Sequence, residues 1–192
     1  MHGKTLATGL VAVAAGILPA RADGPDWRAI MAGIDGIIVY CDSSTKQAYA
    51  QHICDGMAAV VEAGFKETGL PVVRNGLVHT GVAHDGKVPA EIVTAPLKSA
   101  EGISRPMLMA VVIKGTDDRT PAIYTRVHVA IPFRAAVEAG ASGPGKAGDL
   151  MVAERAIAGN GPKKQLPPAI VAALGKQLDA LMADMREGIA KP

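Results

Sequence analysis

Aromatic side chains are scarce in this chain: one Trp, three Tyr and two Phe, 3% of 192 residues. A core of any size must be filled by Ala, Val, Ile, Leu and Met, and alanine brings little area to bury. Cysteine is scarcer still. Cys41 and Cys54 are the only two, too few for a disulfide-rich miniature fold or a four-cysteine zinc module. An excess of one charge is missing as well. The 20 Lys+Arg face 18 Asp+Glu, without the basic cluster that marks a nucleic-acid binder or holds an anionic membrane. No nucleic-acid partner is expected. No apolar run reaches the roughly 20 residues that span a bilayer as a helix. Absent too are Gly-x-Ser-x-Gly, the Walker loop, a dinucleotide fingerprint and every close His or Cys spacing that ligates a metal. No cofactor, metal site or catalytic residue is expected, and an enzyme is the less favoured reading.

What is present begins with an address label. His2 and Lys4 give a short basic start, Leu6 to Leu18 is apolar apart from Thr8 and glycines, and Ala20-Arg21-Ala22 supplies a signal-peptidase pattern before Asp23. Residues 1–22 are expected to be a cleaved signal peptide and 23–192 a single α/β domain, periplasmic or secreted, with no stable membrane insertion after signal removal. Lys4 and Arg21 leave with the signal, so the mature side-chain charges balance. No cysteine follows the cleavage site, which excludes a lipid anchor there.

The chain is organised around Gly36 to Gly69. Ile37, Ile38, Val39 and Tyr40 read as a central strand covered on both faces. Asp42, Ser43, Ser44 and Thr45 offer four successive helix caps. Ala50, Ile53, Cys54, Met57, Val61 and Gly64 then recur at three- and four-residue steps opposite Gln51, Asp55, Glu62 and Lys66, a helix packing one face on a sheet. Gly69 and Pro71 stop it. Ahead of this unit, Asp26 to Ala32 reads as a short helix turning Trp27, Ile30 and Met31 to the core.

Beyond it, Leu70 to Arg74 is expected as a second strand, with Asn75-Gly76 turning Leu77 to His79 back as a hairpin. Residues 81–105 are heavily punctuated, with a short helix or strand near Glu91 to Thr94. Met107 to Ile113 and Ile123 to Ile131 form an antiparallel hairpin; Tyr124, Arg126 and His128 alternate with Ile123, Thr125, Val127 and Val129 as in a half-buried strand. Residues 139–148 read as a loop, and Leu150 to Ala158 as the next strand of the meander. Pro167 and Pro168 open a last helix with a stripe of Ile170, Leu174, Leu178, Leu181, Met185 and Ile189. The expected architecture is a two-layer α/β sandwich, a mixed sheet with two long helices on one face.

In an oxidising compartment Cys41 and Cys54 are expected to pair. A helix rising about 1.5 Å per residue from Ser44 would carry Cys54 too far away, so the bridge requires either a helix start near Ala48 or a strand that ends before Cys41. The alternatives are free core thiols or pairing between chains. The strand-Cys-loop-helix order also resembles thiolate phosphatases and arsenate reductases. Their loop places an arginine six positions after the cysteine, where this chain has Gln47, so a thiol enzyme using Cys41 remains only a lesser alternative. His79 and His84 are candidate ligand-binding residues; Met107 and Met109 are read as core filler, and Asp117 and Asp118 as a solvated hairpin tip.

The order strand, long helix, strand, meander, long helix over Ile37–Arg74 and Met107–Ile189 resembles a group of bacterial envelope domains. These are the curli-export lipoprotein, the outer-membrane activators of penicillin-binding proteins, and the amino-terminal domain of the translocation protein that carries a β-propeller. The resemblance implies a non-enzymatic accessory domain that binds another cell-envelope protein. Such a domain is expected to show an exposed apolar patch or sheet edge. The competing expectation is a small-ligand or metal-binding protein, with a pocket gathering Cys41, His52 or the loop of His79 and His84.

Overall fold

Among the described residues the strands and α-helices follow one another as β1 (Ala12–Ala15), α1 (Trp27–Met31), β2 (Gly36–Ser43), α2 (Ala48–Phe65), β3 (Val72–Val78), β4 (Pro106–Gly115), β5 (Ala122–Arg134), β6 (Ala147–Asn160) and α3 (Leu166–Ile189). They belong to a computed structural model that describes residues 12–15, 25–45, 47–78, 102–134 and 147–189. The fold is α/β, as expected. The strands form one mixed sheet in the order β1-β6-β5-β4-β2-β3. β2 runs parallel to both β3 and β4, while β4, β5 and β6 form an antiparallel meander and β1 pairs antiparallel to the end of β6.

The continuous apolar run at Ile37–Tyr40 makes sense in the middle of this sheet. Alternate side chains of β2 enter two different clusters. Ile37, Val39 and Cys41 join the main core with Met107, Met109 and Val111 of β4 and the buried stripes of α2 and α3. Ile38 and Tyr40 join Leu108, Ala110 and Ala130 in a smaller cluster on the face turned away from the helices. Both faces are therefore apolar, which is why the strand shows no polar alternation. The main core has few aromatics, as composition dictates: Trp27, Tyr49 and Phe65 stand among aliphatic and methionine side chains.

The helices follow their periodicity. On α2, Ala50, Ile53, Cys54, Met57 and Val61 are buried; on α3, Ile170, Leu174, Leu178, Leu181 and Met185 are. Full burial of each large aliphatic side chain contributes about 1.5–3 kcal/mol, so these stripes hold the helices on the sheet. Gly64 leaves room for Met182, and Arg186 Nη1 donates to the Gly64 carbonyl at 2.6 Å, locking the two helices together. After α2 a 3-10 turn over Lys66–Thr68 ends on Gly69 in the left-handed region (φ 75°), the predicted stop.

Two local expectations are corrected. Asn75-Gly76 makes no hairpin. Both residues lie inside the single strand β3, parallel to β2, where the register steps from Val39↔Arg74 to Cys41↔Leu77. Two residues face Tyr40, a bulge, and Gly76 supplies its positive φ of 73°. Nor do Asp42 to Thr45 cap α2. β2 continues to Ser43, and the N-cap is Gln47 without a side-chain hydrogen bond. The hydroxyls brace the turn instead: Ser43 Oγ accepts from Thr45 N (3.1 Å), and Thr45 Oγ1 donates to Asp117 Oδ1 (3.0 Å).

The expected loop at 139–148 gives up Ala147 and Gly148 to β6, and its remainder lies outside the described residues. So do Glu91 to Thr94 and most of the expected signal segment, of which Ala12–Ala15 is described as β1.

Candidate functional site

Cys41 and Cys54 are bonded to each other, with their Cα atoms 5.9 Å apart. The late helix start at Ala48 permits this, because it returns α2 over the end of β2 before the chain has climbed far along the helix axis. Both residues are buried, at 0% and 3% exposure. The bridge ties the central strand to the helix above it. In this oxidised form Cys41 offers no thiolate for chemistry.

The remaining site residues are scattered. His79 and His84 lie outside the described residues. Met107 and Met109 are wholly buried under the helices. Asp117 is engaged at the hairpin tip, where it accepts from Thr45 Oγ1 through its side chain and from Lys163 Nζ (3.2 Å) through its carbonyl. His52 is exposed on α2 and lines a shallow cleft of about 310 Å³ between the first turns of α2 and α3. Tyr49, Lys163, Lys164, Pro167 and Pro168 are among the other residues that line it. Tyr49 donates through its hydroxyl to the Thr116 carbonyl (3.1 Å), and burial, with Asp117 nearby, raises its pKa. Cys41 does not line this cleft, so the structure does not unite His52 with the thiol.

A different set of polar groups occupies the sheet face turned away from the helices. Alternation along β5 places Tyr124, Arg126 and His128 there, and the register sets His128 directly opposite Glu154 on β6. His128 Nδ1 lies 3.1 Å from Glu154 Oε2 and 2.9 Å from Met151 Sδ. Desolvation, helped by the Arg126 guanidinium and opposed by Glu154, lowers the His128 pKa. Farther along the face Tyr40 is buried, and desolvation together with Asp149 and Asp42 raises its phenol to about 12. Burial also raises the Asp149 carboxyl.

Met151 reaches this face through an irregularity. Val129 pairs with Ala153, but Ala130 pairs with Met151, so Val152 is an extra residue on β6. In a regular strand residues 151 and 154 point to opposite faces; the bulge turns them to the same one. Sequence reasoning placed His128 on a strand but missed Met151 and Glu154. The alternation in β5 was a visible signal; the bulge on β6 was not.

β6 also forms the outer rim of the meander. Beyond the four residues that β1 covers (Ile157–Asn160), its outer edge has no strand partner among the described residues. Leu150 and Met151 are 59% and 56% exposed there, the largest exposure among the described big apolar side chains. No helix among the described residues is long and apolar enough to cross a membrane. Comparison with known proteins finds no matching family model and no matching curated protein.

Proposed function

We propose that the chain is an exported, non-enzymatic accessory domain, periplasmic or secreted, that docks another cell-envelope component along the β6 side of its sheet. The observation that carries this reading is the rim of β6, open among the described residues, with Leu150 and Met151 exposed on it. An unpaired strand edge bearing apolar side chains presents backbone donors and acceptors to any extended segment, and a partner that covers it gains both hydrogen bonds and apolar burial. The Cys41–Cys54 bridge fits an oxidising compartment. The observed order β2, α2, β3, meander, α3 is the order on which the likeness to envelope domains rests. If residues 1–22 are removed in export, β1 leaves too and the free rim extends to Asn160.

The competing small-ligand reading has one specific support, the cleft that His52 shares with Lys163 and Lys164. A photo-crosslinking side chain placed at Leu150 in the exported protein, with the exposed helix position Lys176 as control, separates the two. Docking predicts a discrete adduct with an envelope protein from position 150 and none from position 176. No adduct from position 150, or equal adducts from both, rejects the docking reading.

A further inference from the structure

On the sheet face turned from the helices, one imidazole nitrogen lies close to two groups that carry lone pairs. His128 Nδ1 stands 2.9 Å from Met151 Sδ and 3.1 Å from Glu154 Oε2. An unprotonated imidazole nitrogen is repelled by a thioether sulfur and a carboxylate oxygen at such separations unless something electropositive sits between them. A proton on Nδ1 satisfies the carboxylate but leaves the thioether, a weak acceptor, with little reason to approach so closely. A soft cation attracts all three.

We propose that His128, Met151 and Glu154 form a binding site for Cu(I). The thioether selects the metal: sulfur donors favour Cu(I), whereas Mg²⁺ and Ca²⁺ take oxygen ligands. The neighbouring Arg126 guanidinium lies 4.0 Å from Glu154 Oε2. Met151 is 56% exposed, so the site is open to an incoming ion and to a donor or acceptor of copper.

The bulge gives the site its reason. In a regular β6 that kept His128 opposite Glu154, Met151 would face the helices, away from His128 and Glu154. Bulges concentrate where a strand must re-aim a side chain for use. Copper binding goes beyond the docking reading and does not depend on it.

The test is an anaerobic competition between the metal-free mature protein and bicinchoninate loaded with Cu(I). The wild type is expected to withdraw one copper per chain. Met151→Leu should weaken this by at least about tenfold, the smallest loss usual even one layer out from a metal, and Glu154→Gln should weaken it measurably. Met151 is exposed and leucine has a similar volume, so the variant should unfold at the wild-type temperature. Two wild-type measurements need no variant: the Met151 methyl resonance should shift on adding Cu(I), and X-ray absorption should show a sulfur scatterer at copper. An untouched chelator complex, a still methyl resonance, undiminished withdrawal by Met151→Leu, or tighter binding of Zn²⁺ than of Cu(I) each overturns the proposal.

Discussion

His128 is the residue whose surroundings most directly set a measurable behaviour. Desolvation and Arg126 lower its pKa in the folded protein, so the unfolded chain, with an ordinary value of about 6.5, takes up the proton first. Stability therefore rises with pH wherever the unfolded state holds more protons. The contribution is fully present above about pH 6.5 and is lost as the pH falls through the lower folded value. Melting temperatures of the metal-free protein should fall on acidification below that point, and His128→Gln should flatten the slope; equal slopes would contradict the assignment. Asp35 acts in a separate window. Hydrogen bonds from the Ser104 hydroxyl (2.5 Å) and the Ser104 and Arg105 amides (2.8 Å each) hold its carboxyl below the usual 3.8. Its contribution is present above that ordinary value and disappears only in more strongly acidic solution.

At the scale of elements, the bridge between β2 and α2 carries the clearest prediction. It closes a loop with a sequence separation of 13, for which chain entropy gives about 3 kcal/mol. Replacing both cysteines with alanine should lower the unfolding free energy in urea by about 2–4 kcal/mol, and the untreated wild type should show no titratable thiol. Much of this architecture was legible in the residues. The unbroken run Ile37–Tyr40, the stripes of α2 and α3 and the alternation in β5 each expose a burial period, and burial decides the element. Even the bridge was legible as a condition on where α2 begins. Asn75-Gly76 misled because a positive φ serves a bulge as well as a hairpin turn, and the dipeptide carries no information about which strand lies beside it. The hydroxyls at 43–45 misled because the strand's extra length consumed the residues expected to cap. His128, Met151 and Glu154 were invisible as a group: they lie on two strands, and their meeting depends on a register and a one-residue irregularity that no spacing records.

For the whole molecule, the decisive question is passage out of the cytoplasm. Protein recovered from the envelope should have an intact mass beginning at Asp23, and recovery of the full 192-residue chain would remove the export argument. The bridge bears on how that passage ends. Cys41 and Cys54 belong to one strand–helix unit, and these are the only cysteines in the chain. A polypeptide emerging amino-terminus first would present both thiols before the meander and α3 have appeared. Oxidation can then close a single, unambiguous ring with no wrong pairing to undo, leaving a stapled seed on which the later strands assemble.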